Sequence, residues 1–336
     1  MGARGRGLRR PRGALKVALD GAAALLIFIV VMFGLMRLLA AIREQQVATP
    51  PTTVHYPTIY GSVAAQSAGP ASGPPVMIIH GTAAWSGFWK DVTAHLASRG
   101  WHVIAVDLPP FGWSQHDTEK RYDRTTQAER LSAVLALAQA KQAVVIGHSF
   151  GAGPATEFAL RHPEQVRGLV LVDAALGELD PKGEGQAVRL FGFRPVSEAA
   201  TSATITNPYA IEGLLSSMLA RKDVAKRWVP VLREPMRRQG TTAAYAEWLP
   251  SLLTRDDGSL SRKSANLAAM RMPVALIWGG ADTVTPLAQG KRLAALTRAR
   301  SLIVLPGVGH IPHIEDPEHF QTALDSALGS VSNAQR

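Results

Sequence analysis

Residues 142–153 read Gln-Ala-Val-Val-Ile-Gly-His-Ser-Phe-Gly-Ala-Gly. Ala143 to Ile146 is a short apolar, β-branched run of the kind that forms a buried strand. Pro154 to Arg161 has the spacing of a helix. Between them stands a G-x-S-x-G pentapeptide, Gly147 to Gly151. Strand, sharp turn and helix in this order give the pentapeptide a mechanism. The turn strains the backbone at Ser149 and lifts its hydroxyl clear of the sheet edge, where a histidine can reach it. Gly147 and Gly151 are required because a Cβ at either position would meet the neighbouring strand or helix. The Phe150 N–H opens the helix and points at the same place.

Outward from this stretch, strands and helices alternate. Strands are predicted at Val76–Ile79, His102–Asp107, Gly168–Asp173, Val274–Trp278 and Ser301–Leu305, with helices at Phe88–Ser98, Thr125–Ala140, Pro286–Leu296 and Pro317–Leu328. Apolar runs of strand length separated by helices imply an α/β fold, a mostly parallel sheet covered on both faces. Residues from about Gly177 to Arg271 break the rhythm. They carry Pro195, Pro208, Pro230, Pro235 and Pro250 with apolar residues at helical spacing, and read as several short helices inserted between two strands. An insertion at the C-terminal edge of a parallel sheet covers the place where ligands bind. Trp228, Trp248, Tyr209 and Tyr245 within it are expected mostly to pack the insertion's own small core. Arg221, Lys222, Lys226, Arg227, Arg233, Arg237 and Arg238 face only Asp223 and Glu234 in the same stretch. A solvated helix face is the default for such a run, and contact with anionic lipid heads the sharper reading.

The N-terminus has its own logic. Arg4, Arg6, Arg9, Arg10, Arg12 and Lys16 precede an apolar run from Gly21 to Met36, and after Arg37 the run resumes from Leu38 to Ile42. A helix from Gly21 to Ala41 rises about 30 Å, the thickness of a bilayer's hydrocarbon core. The six cations take the formal net charge of +10 down to 10 − 6 = +4 for the remainder, so the basic balance belongs to a membrane flank and argues against a nucleic-acid partner. Cations ahead of the span predict a cytoplasmic N-terminus and a catalytic domain on the extracytoplasmic side. A cleaved signal peptide is the rival, opposed by the length of the apolar run and by Arg37 ahead of any small-residue cleavage site. Gln45 to Pro75, rich in Pro, Thr, Ala, Ser and Gly, reads as a tether with weak strand signal at Val54–Tyr60 and Ser62–Gln66. The expected organisation is a basic flank and anchor at 1–43, a linker with first strands at 44–75, and the α/β domain at 76–333 with its helical insertion at about 177–271.

A serine hydroxyl becomes a nucleophile only when a base takes its proton, and that base needs an acid to hold its tautomer. In this sheet order the partners should follow as Ser, acid, His. His310, in Gly307-Val308-Gly309-His310, follows the last strand in a glycine-rich loop and is preferred over His313. Asp282, after Trp278-Gly279-Gly280-Ala281, is preferred as the acid over Asp173, which also ends a strand. Asp107 is expected to tie down its own loop. The oxyanion donors expected are the Phe150 N–H and the Thr82 N–H in His80-Gly81-Thr82, with His80 holding that loop by hydrogen bonds. The chain has no cysteine, which excludes a thiol nucleophile, disulfides and a cysteine-based zinc site. No cofactor or metal is expected.

His80-Gly81, Asp107 with Phe111-Gly112, Gly147-His148-Ser149-Phe150-Gly151, the strand ending in Asp282, and His310 with Glu315, Asp316, Pro317 and Phe320 occur in one order from about Val76 to the chain end. Together they resemble the α/β-hydrolase superfamily, in the branch with a single helical cap. The resemblance implies a carboxylic-ester hydrolase working through an acyl-enzyme on Ser149. Relatives that open epoxides or release halide place Asp at the elbow, and Ser149 argues against both. Carbon–carbon bond hydrolases keep the serine, but His80-Gly81-Thr82-Ala83-Ala84-Trp85 departs from their His-Gly-x-Gly-Pro-Gly loop. The layout of one anchor and one hydrolase domain is similar to membrane-anchored monoacylglycerol lipases. The expected partners are a small ester substrate and membrane lipid. Amide hydrolysis and a non-catalytic ligand-binding role remain the alternatives.

Overall fold

The computed structural model describes residues 12–177, 179–180, 192–253 and 258–332. Arg4, Arg6, Arg9 and Arg10 of the basic flank, part of the predicted insertion and the chain end at 333 lie outside the described residues.

Eight strands form one sheet in the order β1-β2-β4-β3-β5-β6-β7-β8. They are β1 (Thr53–Thr58), β2 (Gly61–Ala68), β3 (Pro75–Ile79), β4 (His102–Val106), β5 (Ala143–His148), β6 (Val166–Val172), β7 (Val274–Gly279) and β8 (Ser301–Leu305). β1 and β2 pair antiparallel with each other and β2 antiparallel with β4; from β3 onward every pairing is parallel. The central strands β5 and β7 are buried along their whole length, as near-continuous apolar runs in a sheet covered on both faces must be.

The stretch read as a tether therefore holds the two strands β1 and β2 at one edge of the sheet. β1 buries Tyr56 alone, and the strands draw on Thr in β1 and on Ser and Ala in β2, so their apolar signal is weak. Val63, Ala64 and Ala65 are buried where β2 meets the rest of the sheet.

The helices are α1 (Arg12–Arg43), α2 (Lys90–Ser98), α3 (Arg124–Leu137), α4 (Ala152–Arg161), α5 (Arg194–Ala203), α6 (Ile211–Met218), α7 (Ala225–Met236), α8 (Thr241–Leu253), α9 (Ser264–Ala268), α10 (Leu287–Thr297), α11 (Pro312–Glu315) and α12 (Pro317–Ser332). α5 to α9 are inserted between β6 and β7. Pro230 and Pro235 lie inside α7, so the prolines do not break this segment as finely as their spacing suggests.

The insertion does not close a core of its own. Trp228, Tyr245 and Trp248 belong to the same buried apolar cluster as the sheet. Trp228 meets Phe88 edge to face at 5.1 Å, and Tyr245 and Trp248 each meet Phe111 at 4.8 Å. Tyr209 is in no core at all; it is 91% exposed. Arg238 is no solvated cation either. It donates to the carbonyls of Gly112 and Ser114 and lies 5.8 Å from the Trp113 ring.

α1 is the one helix among the described residues long and apolar enough to cross a membrane. Its most apolar window has a mean hydropathy of 2.7 and is 6% buried, the reverse of a soluble core helix. Among the described residues it is the last turns that are bonded to the rest of the chain. Ala40 is buried, Arg37 ion-pairs with Glu198 of α5, and the Glu44 carboxylate accepts from Gly240 N (2.8 Å) and Thr242 N (2.7 Å) at the start of α8. Arg37, the cation that interrupts the apolar run, thus meets a buried carboxylate of the insertion.

Candidate active site

β5 ends at His148, and Ser149 turns the chain at φ +50° before a short 3-10 turn leads into α4. A non-glycine residue in this left-handed region costs about 1–3 kcal/mol, which the packing around it must offset. That packing is close. A Cβ on Gly147 would lie 2.7 Å from Ala155 Cβ, and one on Gly151 only 2.3 Å from the His80 carbonyl. The backbone thus bends sharply against both the helix and the neighbouring loop, and glycine alone fits.

The loops after β7 and β8 are clasped to each other. Gly280 N donates to Leu305 O and Ala281 N to Val308 O, both at 2.8 Å. A Cβ on Gly279 would meet Gly309 O at 2.0 Å. This clasp brings Asp282 and His310 to the end of β5. His310 Nε2 lies 2.8 Å from Ser149 Oγ, and His310 Nδ1 lies 2.8 Å from Asp282 Oδ2. Asp282 is further held by Val284 N and Thr285 N on Oδ1 and by the Thr285 hydroxyl on Oδ2. Burial alone would raise its pKa, but the hydrogen bond and charge of His310 and the Thr285 bonds outweigh burial and hold it down to about 2. An ionised Asp282 requires the proton on His310 Nδ1, which leaves Nε2 as acceptor for the Ser149 hydroxyl.

The other candidates fall elsewhere. Asp173 Oδ1 accepts from Gly279 N at 2.8 Å, and Oδ2 is buried without a partner. Burial raises its pKa well above the carboxylate range. Asp173, Asp282 and His310 offer ligand atoms within 4.8 Å of one another. Two of these side chains are hydrogen-bonded to each other, His310 Nδ1 to Asp282 Oδ2 at 2.8 Å. His313 is stacked on Trp89 at 3.9 Å with both ring nitrogens unpartnered, and burial lowers its pKa well below the usual range.

The loop after β3 lies against the serine. A Cβ on Gly81 would stand 3.2 Å from Ser149 Cβ, so Gly81 passes close beside the serine side chain. His80 fixes this loop. Burial lowers it to about 4, its Nδ1–H donates to Gly81 O at 2.7 Å, and its Nε2 accepts from Leu108 N at 3.0 Å. Asp107 holds the loops on either side, accepting from Ser86 N at 2.6 Å and Trp113 N at 2.8 Å. Tyr245 and Trp248 of the insertion cover Phe111, and Trp248 also meets Phe150 at 5.3 Å, so the site is roofed by aromatic rings. A cavity of 640 Å³ beside Ala174, Leu176, Trp278 and Leu293 is lined by none of Ser149, Asp282 and His310.

Two contributors escape a reading of the sequence. His148, the variable residue of the pentapeptide, is buried; burial, with His310 beside it, lowers it to about 3, so its Nε2–H donates to His310 O at 2.9 Å. Glu315 accepts from Gly309 N (2.8 Å) with one oxygen and from Ala220 N (3.0 Å) with the other. It thereby ties the histidine loop to the insertion. Glu315 was visible as part of a motif, but nothing in its spacing names these partners.

A profile of the alpha/beta hydrolase fold matches residues 74–317. The chain is 29% identical over 268 residues to a 2-hydroxymuconate semialdehyde hydrolase of Pseudomonas sp. (strain CF600), covering 78% of this chain and 89% of that one. It is 26% identical over 260 residues to a pimeloyl-[acyl-carrier protein] methyl ester esterase of Aeromonas hydrophila subsp. hydrophila, covering 76% and 96%. Among solved structures, a membrane phospholipase A described as a novel bacterial virulence factor superposes with a TM-score of 0.64 at 23% identity, covering 96% of this chain and 98% of that one. A thermophilic esterase from Thermogutta terrifontis gives 0.67 at 22% identity, covering 84% and 99%. The two structures share the fold with this chain, and with the profile match spanning most of its length the chain belongs to the alpha/beta hydrolase fold family.

Proposed function

We propose that this protein is a membrane-anchored serine hydrolase that cleaves carboxylic esters through an acyl-enzyme on Ser149. The observation that carries the reading is the line Ser149 Oγ, His310 Nε2, His310 Nδ1, Asp282 Oδ2, with 2.8 Å at both hydrogen bonds. Ser149 Oγ attacks the ester carbonyl carbon while His310 Nε2 takes its proton. The ionised Asp282 stabilises the imidazolium. The Phe150 and Thr82 N–H groups receive the oxyanion, a contribution of about 3 kcal/mol per donor in such sites. Collapse expels the alcohol, which takes the proton back from His310. Water then enters by the same base and releases the acid.

The esterase relative supports ester cleavage. A second reading, cleavage of a carbon–carbon bond by the same three side chains, draws on the relative named for 2-hydroxymuconate semialdehyde. The chain's His80-Gly81-Thr82-Ala83-Ala84-Trp85 loop weighs against it. The exposed apolar surface of α1 supports the anchor, and the cations before the span support a cytoplasmic N-terminus with the hydrolase domain on the extracytoplasmic side. The test is labelling of the full chain in detergent by a fluorophosphonate, together with hydrolysis of p-nitrophenyl butyrate. Labelling with turnover is expected; a chain that does neither, with a cooperative thermal unfolding transition, overturns the reading.

A further inference from the structure

The last turns of α1 are locked to the insertion rather than to the sheet. Arg37 pairs with Glu198, Glu44 caps α8, and Gln45 bridges to the segment after α7: Gln45 N donates to Arg237 O at 2.7 Å and Gln239 N to Gln45 O at 3.0 Å. At this junction a groove of 380 Å³ is lined by Leu39, Ile42, Arg43, Pro208, Tyr209 and Arg233. Beside it a smaller cavity is lined by Arg43, Arg233 and Arg237. Among the described residues none of these three guanidiniums is ion-paired; Arg43 Nη2 donates to the Thr206 carbonyl at 3.3 Å. The one carboxylate of the anchor's end, Glu44, is committed to backbone N–H groups. Glu234 lines a neighbouring groove together with Arg233 and Arg237, and among the described residues it is ion-paired with neither.

Three arginines gathered without a paired acid repel one another, and an anion that joins them relieves that repulsion. A guanidinium fork suits the several oxygens of a phosphate. The groove also has an apolar side, Leu39 and Ile42 of α1, which continues into the exposed flank of the span. Tyr209, 91% exposed at the rim, is the kind of side chain that sits at the level of lipid headgroups. Cations, an aromatic ring and an apolar strip share this groove, the groups that a phospholipid's phosphate, glycerol and acyl chain would meet at a bilayer surface.

We propose that the groove between α1 and the insertion is a binding site for one phospholipid, its phosphate held by Arg43, Arg233 and Arg237 and the start of its acyl chains laid on Leu39 and Ile42. The proposal rests on the membrane reading of α1. The site is distinct from the Ser149 centre, and the lipid holds the insertion, and with it the roof of the active site, at a fixed depth against the membrane.

The test is native mass spectrometry of the full chain in detergent with added dipalmitoyl phosphatidylglycerol, set beside dipalmitoyl glycerol, which has the chains and no phosphate. The wild type is expected to retain one phosphatidylglycerol and no diacylglycerol. Arg233→Gln with Arg237→Gln should weaken retention by at least tenfold, since each cation near an anionic lipid surface is worth about fivefold in affinity. Arg43→Gln alone should weaken it about fivefold. Lys291→Gln, on the exposed side of α10, is the control and should leave it unchanged. Thermal unfolding of each variant confirms that it folds. Equal retention by wild type and the double variant, equal retention of diacylglycerol, or full displacement by millimolar inorganic phosphate would each overturn a lipid site. Carbonate extraction of cell membranes reads the anchor separately: a chain released by carbonate that still retains phosphatidylglycerol refutes the anchor and leaves the site standing.

Discussion

The backbone N–H of His310 donates to the carbonyl of Met218 at 2.9 Å, so the proposed base is hydrogen-bonded to the last residue of α6 in the insertion. Glu315 runs beside this bond and holds Gly309 N and Ala220 N with its two oxygens. Gly309 must be glycine here, since a Cβ would meet Ala220 N at 2.7 Å and Met218 O at 2.8 Å. Base and roof are therefore one mechanical unit. Glu315→Ala leaves the buried Gly309 N–H without an acceptor, at about 1–3 kcal/mol, and gives the part-buried Ala220 N–H to water. It should lower kcat by roughly tenfold or more with little change in KM, because the base moves and the pocket does not. Glu315→Gln, which retains one acceptor, should fall between. A change confined to KM would mean that Glu315 shapes the substrate pocket and not the histidine.

Ser149→Ala should abolish both fluorophosphonate labelling and turnover of p-nitrophenyl butyrate while leaving circular dichroism intact. His310→Ala should lose both signals too. His313→Ala should keep most activity, since its ring stacks on Trp89 and bonds to nothing, and its cost should appear as a lower melting temperature. Near wild-type turnover by Ser149→Ala, or loss of labelling by His313→Ala alone, contradicts the assignment.

Asp282→Asn should lower kcat by about 10⁴-fold, because an amide leaves the imidazole in the wrong tautomer. Asp173→Asn is predicted to be far milder. Asp173 accepts a single bond, from Gly279 N, and its second oxygen faces no donor, so a neutral amide keeps its one contact. The comparison of the two asparagine variants decides which strand end supplies the acid.

Folding stability should fall as pH drops below 6.5. Burial lowers His80 and His116 to about 4 and His148 to about 3, and lowers His313 further. Between pH 6.5 and about 4 the unfolded chain binds protons at these four residues that the folded chain does not, so stability present above 6.5 is lost on acidification. Burial acts oppositely on Asp107, raised to about 6, and on Asp173, raised well above its usual range. Each holds a proton in the fold that the unfolded chain releases above about pH 4. The net is 4 − 2 = 2 protons taken up on unfolding. The melting temperature should drop by about 5 °C between pH 6 and pH 5. A flat or rising melting temperature over that interval would mean that the histidines are not neutral in the folded chain.

Residues flanked by local signals were readable from the chain. Ser149, Asp282 and His310 each follow an apolar run and stand in a glycine turn, so position at the sheet edge follows from neighbours only a few residues away. His148 and Glu315 act through backbone groups 162 and 95 residues distant in the chain, and no local pattern records such a partner. β1 and β2 gave only weak strand signals, at Val54–Tyr60 and Ser62–Gln66, because an edge of the sheet needs few apolar residues. The insertion's aromatics were misplaced for a related reason. Helical spacing shows that Tyr245 and Trp248 face inward, but not that inward means Phe111 and Phe150.

The docking of α1 makes a prediction about truncation. Removing the span should release the protein from membranes, and the triad lies wholly beyond it. The place of the cut matters by a single residue. Glu44 accepts from Gly240 N and Thr242 N, capping α8 with a carboxylate where the helix dipole favours one. A chain beginning at Arg43 keeps that cap, and a chain beginning at Gln45 loses it at a cost of about 1 kcal/mol. α8 carries Tyr245 and Trp248, so the loss loosens the roof over Phe111 and Phe150. The shorter chain should melt about 2–4 °C lower and be cut sooner by trypsin after the insertion's arginines. Glu44→Gln in the longer chain should recover part of the difference, since the amide oxygen still accepts one of the two bonds. Identical melting temperatures and proteolysis rates for the two truncations would mean that the contact between anchor and insertion contributes nothing to holding the roof in place.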